Sequence, residues 1–225
     1  MTLIRLSGHS GAGKSRLLAA LAKRQFKFRR PIMYTSRMPR TGEVHGRDYY
    51  FMSRGFIKGL SPDRFVVGDV REAVHAVDLV QLEFDIRSGD PVILEIYHTR
   101  WQRVKEQMGK VFGPELRIVS VFLTAIPPAS LTSLPPETAA TEIRDQITRN
   151  LTWRGKDSPD KIRTRAESAV AEITGALTIP PAYDRVFLSA PEGPDGEDDW
   201  TSGPEPRGQA AQVLGDFLEF VGTLS

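Results

Sequence analysis

Residues 8–15, Gly-His-Ser-Gly-Ala-Gly-Lys-Ser, fit the pattern G-x-x-x-x-G-K-[ST] and lie between a β-prone run and a helical one. Nothing else in the chain restricts its possible folds as sharply. A loop of this kind works only where a strand delivers it and a helix leaves it, because successive backbone N–H groups and the helix N-terminus must converge on one anion. Thr2 to Ser7 alternates as a strand should, and Ser15 to Arg24 places Leu17, Leu18 and Leu21 on one helical face. The motif therefore predicts a triphosphate held by Gly8, Gly11, Ala12, Gly13, Lys14 and Ser15. Lys14 would bridge the phosphates next to the transferred group, and the Ser15 hydroxyl would ligate the Mg²⁺ that accompanies ATP. His9 occupies a variable position of the loop and reads as a spacer.

The remaining pattern extends this start into an α/β chain. Ile32 to Thr35, Pro91 to Ile96, Leu116 to Leu123 and Arg185 to Leu188 read as strands, the middle two continuously apolar, as expected of strands buried on both faces. Helical spacing is read over Val70 to Ile86, Trp101 to Val111, Glu137 to Leu151, Asp160 to Leu177 and Ala210 to Val221. Ile126 to Pro136, with four prolines, reads as an unstructured excursion, and the acidic Ser189 to Arg207 as a mobile surface loop. Strands alternating with helices predict a mostly parallel sheet flanked by helices.

Composition narrows the setting. The 225 residues are 40% hydrophobic, enough for a sizeable core, and contain no cysteine, which excludes a disulfide framework, a thiolate metal site and a cysteine nucleophile. The apolar runs are shorter than a membrane span, and MTLIRLSG leads directly into the phosphate loop, so the expectation is a soluble cytoplasmic protein without a membrane partner. The net charge of +2 conceals seven basic residues and no acid between Lys23 and Arg40. Such a stretch is compatible with nucleic acid, with a solvated basic face, or with anionic phosphates.

That basic stretch runs into YTSRMPRTGEVHGRDYYFMS, residues 34–53. Arg37 and Arg40, three apart, make a fork for a phosphate, and a nearby tyrosine hydroxyl would complete the clamp. The run T-S-R-x-P-R-x-G-E-V-x-G-x-D-Y-x-F resembles the nucleoside monophosphate-binding segment of the guanylate kinase family. The resemblance implies that Arg37, Arg40 and Tyr49 hold the acceptor phosphate while Glu43 supports the arginines. Downstream, WRGKDSPDKIRTR, residues 153–165, resembles the same family's lid, with Arg154 and Arg165 at its two arginine positions. Arginines delivered there would stabilise charge on the transferring group. The implied architecture is one guanylate kinase-like domain with the P-loop kinase fold. Its core would comprise 1–31 and 89–136, an acceptor-binding region 32–88, a helical lid region 137–177, and a C-terminal strand, acidic loop and helix 178–225.

The resemblance fails selectively. Guanylate kinases read guanine with a serine just ahead of the arginine segment and an acid in the following small sheet. Here Met33 or Tyr34 takes the first position and Val67 or Gly68 the second, with His75-Ala76-Val77 in place of a Tyr-Gly-Thr/Ser turn. Asp69 is the nearest acid able to accept from a purine N–H, and equally reads as an exposed loop aspartate. Where the family shows Asp-x-Asp after the buried strand, this chain has Glu95-Ile96-Tyr97, leaving Glu95 as the carboxylate for Mg²⁺. Everything that handles phosphate is kept and the base-reading groups are rebuilt. The expectation is an ATP- and Mg²⁺-dependent phosphotransferase acting on a nucleoside monophosphate-type acceptor with base specificity altered from GMP. A kinase of a phosphorylated sugar such as ribose 1,5-bisphosphate and a non-catalytic binding module are the alternatives.

Overall fold

The computed structural model describes residues 1–70, 72–155, 157–176, 183–189, 200 and 205–224, except for the side chains of residues 98, 99 and 154. The chain divides into two compact units, Met1–Arg5 with Lys27–Val119, and Leu6–Phe26 with Ser120–Ser225. Strand β1 (Thr2–Gly8) starts in the first unit and ends in the second, as does β7 below.

In the first unit the chain forms β2 (Tyr34–Thr35), β3 (Tyr50–Phe51), the short helix α2 (Arg54–Lys58), β4 (Phe65–Val70) and β5 (Ala73–Asp78). These strands make a small sheet of order β3-β2-β5-β4, in which β5 runs antiparallel to both of its neighbours. Helix α3 (Leu79–Arg87), β6 (Val92–Glu95) and helix α4 (His98–Phe112) follow. Leu3, Met33, Val66, Val77, Leu82, Leu94 and Val104 share one core, and Ile57, Phe65, Val74 and Ala76 share another.

The helix expected over Val70 to Ile86 is therefore a correction. Its first half is the return strand of a β4–β5 hairpin, and only Leu79–Arg87 is helical. Val70, Val74 and Val77 have helical spacing, but pairing to partners on both sides of β5 dominates, and β-branched residues suit a pleated surface. Asp78 ends the strand and starts the helix, accepting hydrogen bonds from the N–H groups of Val80 and Gln81. The strand expected at Ile32 to Thr35 shrinks to Tyr34–Thr35.

In the second unit α1 (Lys14–Lys23) leaves the glycine loop, and β7 (Arg117–Thr124) pairs in parallel with β8 (Arg185–Leu188). The larger sheet has the order β6-β1-β7-β8, mostly parallel and flanked by helices, the architecture of a P-loop kinase. Residues 126–136 do not form a wholly unstructured excursion. Pro128–Thr132 is a short helix, α5, whose first-turn proline already has helical φ and whose Leu131 is buried. Helices α6 (Pro136–Arg154) and α7 (Pro159–Ala176) form an antiparallel pair through Ile143, Ile147, Leu151, Ile162, Ala166 and Ile173, turning at Gly155 with φ 65°. Helix α8 (Gly208–Gly222) packs Phe217 against Phe187 of β8. Most of the stretch read as a mobile acidic loop, 189–207, lies outside the described residues, yet Trp200 within it is buried. Among the described residues no helix is long and apolar enough to cross a membrane.

Candidate active site

The donor loop belongs to the second unit, and its geometry follows from where glycine stands. A Cβ on Gly8 would meet the Leu123 carbonyl oxygen at 2.5 Å, so only glycine lets β1 leave beside the end of β7. Gly13, at φ 80°, ends the loop in the left-handed region and caps α1. Gly11 and the buried Ala12 lie between them. Lys14 folds back over the loop, its Nζ donating to the carbonyl oxygens of Gly8 at 2.6 Å and His9 at 3.0 Å. Ser15 is exposed in the first turn of α1.

His9 is more than the spacer expected from its position in the motif. It is completely buried; its Nε2 accepts from the Ala125 N–H at 3.0 Å, and its Nδ1 lies 2.8 Å from the Ser10 carbonyl oxygen. One neutral tautomer, protonated on Nδ1, satisfies both contacts. The imidazole thus pegs the loop to the residue that follows β7. Trp200 stands over the other end, its Nε1 3.5 Å from where a Cβ of Gly13 would lie. Neither tie has a short-range sequence signal, since both partners lie more than a hundred residues away.

Of the two arginines expected in a lid, Arg165 projects from α7 to this loop. Its Nη1 donates to Asp157 Oδ2 at 2.8 Å and reaches Ser10 Oγ at 3.4 Å. The side chain of Arg154, the other one, lies outside the described residues.

The acceptor segment belongs to the first unit. Arg37 donates to Glu43 through both terminal nitrogens, at 2.7 and 2.9 Å, and the Arg40 N–H donates to the same carboxylate at 2.7 Å. Burial pushes the Glu43 carboxyl up, but the Arg37 hydrogen bonds, the Arg40 N–H and both guanidinium charges outweigh it and hold the group below the usual carboxylate range. The Arg37 guanidinium also lies over the rings of Tyr49 and Phe51, at 5.2 and 5.6 Å. Burial, with the Glu95 charge next, raises the Tyr49 hydroxyl, so Tyr49 offers a neutral O–H at pH 7. Glu95 itself pairs with Arg30 at 2.8 Å. Asp69 is exposed on β4 and paired with Arg54.

The positions that the family resemblance sets opposite a guanine base carry neither a serine nor an acid. Met33 is a core side chain, Tyr34 packs on Tyr50 and Phe65, and Val67 packs against the Ile57–Val74 cluster. Gly68 has no side chain at all. Among the described residues no group of three His, Asp or Glu comes together to hold a metal. An ion here would need phosphate oxygens in its shell, as Mg²⁺ bound to a nucleotide normally has.

A parallel sheet, a glycine loop at the end of its first strand and a lysine and arginine converging on that loop define a P-loop phosphotransferase. The sequence comparisons narrow the class. The guanylate kinase family model matches residues 1–133. Guanylate kinases of Escherichia coli K12 and Shewanella oneidensis are each 31% identical, covering 77% and 75% of this chain and 74% and 72% of their own, and that of Yersinia pestis is 33% identical, with 76% and 74% covered. The crystal structure of guanylate kinase from Anaplasma phagocytophilum matches 99% of this chain and 85% of its own with a TM-score of 0.54 at 19% identity, which supports the fold. The chain belongs to the guanylate kinase family and is a nucleoside monophosphate kinase-like phosphotransferase.

Proposed function

We propose that the chain moves the terminal phosphoryl group of Mg²⁺-bound ATP onto the phosphate of a nucleoside monophosphate-type acceptor whose base is not guanine. The observation that carries this reading is a contrast within one small sheet. The Arg37–Glu43 fork is held by two side-chain bonds and the Arg40 N–H, while positions 33, 34, 67 and 68 offer neither a serine hydroxyl nor an acid.

In this reading Gly8 to Ser15 hold the triphosphate, with Lys14 as the mobile charge. Ser15 and Glu95 hold Mg²⁺, Arg37, Arg40 and Tyr49 hold the acceptor phosphate, and Arg154 and Arg165 stabilise the transferring group. No general base is required, because a phosphate oxygen is already a competent nucleophile, and rate comes from alignment and charge. Asp69, tied to Arg54 at the surface, is the weakest member of the acceptor set. A phosphorylated sugar as acceptor is the second reading, favoured by Gly68, which leaves a base nothing to bond.

The test is a coupled ADP-release screen over ribo- and deoxynucleoside monophosphates and phosphorylated pentoses. The expected result is Mg²⁺-dependent ADP release that one acceptor other than GMP stimulates most strongly, abolished in Lys14→Ala although that variant melts like the parent. Acceptor-stimulated turnover that survives Lys14→Ala would end the donor assignment.

A further inference from the structure

Arg100 is a buried cation that the phosphate-handling groups leave unexplained. It lies in the first turn of α4, is only 4% exposed, and finds no hydrogen-bond partner for Nε or Nη1 among the described residues. Its stem crosses the face of Gly68, where a Cβ would meet Cδ at 2.8 Å and Cγ at 2.9 Å. The φ of Gly68 lies outside the left-handed region, so the approach of Arg100, not the backbone, is what a side chain at position 68 would offend. Gly68 stands opposite His75, whose ring is 6.1 Å from that of Tyr49. Arg100 therefore occupies the space beside β4 where a base-reading side chain would project.

The electrostatics there are one-sided. Burial pushes the Arg100 guanidinium down to about 10, opposed only by the phenol oxygens of Tyr49 and Tyr97, so it remains charged at neutral pH. No carboxylate acts on it among the described residues, whereas the charges around Tyr49 include Glu95, Arg37 and Glu43. Tyr97 is the N-cap of α4, no side chain caps the helix there, and the first turn contains no acid, so the helix dipole adds positive potential at the same place. A buried charge without a partner is costly, and a ligand bringing the opposite charge would offset that cost.

We infer that Arg100 receives a second anionic group of the acceptor, a phosphate or carboxylate carried in addition to the phosphate that accepts the transfer. This rests on the phosphotransferase reading and specifies its substrate class: a phosphate monoester with a further negative charge in place of a guanine-like edge. Arg100, seated on the face that Gly68 leaves without a side chain, is the specificity determinant.

The experiment compares kcat/KM for matched acceptors with and without the extra anion, in the full chain with Mg²⁺ and ATP. The pairs are ribose 1,5-bisphosphate against ribose 5-phosphate, adenosine 3′,5′-bisphosphate against AMP, and orotidine 5′-monophosphate against UMP. The expected result is a preference of ~30-fold or more for the doubly anionic member of one pair, about what truncating a buried charge contact costs. In Arg100→Met that preference falls to near unity while the singly anionic member changes less than ~3-fold, and Arg100→Lys restores part of it. Arg100→Met is also expected to melt at least as high as the parent, because it removes an unpaired buried charge at similar volume. Gly68→Ala, which displaces the guanidinium, should reduce the preference in the same sense.

Equal loss for both members of every pair would make Arg100 part of the common phosphate clamp and overturn the inference. So would a preference that survives Arg100→Met, or a lowered melting temperature with selectivity intact. Transfer to singly anionic acceptors with no preference in any pair overturns this inference alone. ADP release stimulated by none of the acceptors overturns the phosphotransferase reading and this one with it.

Discussion

At the scale of single residues, the acceptor segment is a set of charges that fix one another. Glu43 restrains Arg37 through a bidentate pair and Arg40 through its backbone. Glu43→Gln removes the charge but keeps the shape, so its effect isolates the electrostatics. Because the folded carboxyl sits below its ordinary 4.5, it stabilises the fold above that pH and the contribution is lost as pH falls through the folded value. The parent is therefore expected to lose melting temperature more steeply than Glu43→Gln below about pH 4.5; parallel acid profiles would show that the pair adds no stability. For Arg37→Ala the expectation is a raised KM for the acceptor and a lowered kcat, ~2–4 kcal/mol in kcat/KM, while the exposed Lys27→Ala changes little. Steady-state kinetics on the three proteins decide it, and indistinguishable values would reduce the fork to part of a diffuse basic face.

At the scale of elements, strands and helices with a single strong period were legible. The apolar runs at β6 and β7 and the Leu17–Leu21 stripe of α1 formed where composition and spacing placed them, because burial on two faces or on one leaves an unmistakable pattern. The hairpin β4–β5 departs from the expected helix because the helical spacing of Val70, Val74 and Val77 is a local signal, whereas the pairings of β5 that override it include that with β2, which joins residues distant in sequence. The glycine loop and the Arg37–Glu43 segment carry local sequence motifs, whereas the contacts of His9, Trp200 and Arg100 have none. Their roles depend on contacts with Ala125, Gly13 and Gly68 that no local spacing encodes. Asp78 joins the hairpin to α3, so Asp78→Ala should unfold at lower urea concentration, by about 1–2 kcal/mol from the lost cap alone. An unchanged midpoint would mean that the strand pairing, not the cap, sets where α3 begins.

At the scale of the whole molecule, the proposed function has the chain keep the phosphate-handling motifs of the guanylate kinase family and differ at the positions that the resemblance assigns to base reading. A site built to hydrogen-bond one base discriminates by ~10⁴ or more, because an analogue without the partner leaves buried groups unsatisfied. On the proposed reading, replacing those groups would change which acceptor is preferred instead of merely weakening binding, and an intact phosphate clamp would sustain slow transfer to many monoesters. Detectable turnover of GMP is thus expected and decides nothing; the ratio of specificity constants does. The decisive measurement is kcat/KM for GMP beside every other acceptor under one set of conditions. GMP is expected to be surpassed by another acceptor, and a value for GMP of ~10⁵ M⁻¹s⁻¹ or more, above all others and within the ordinary enzymatic range, would contradict the proposed specificity.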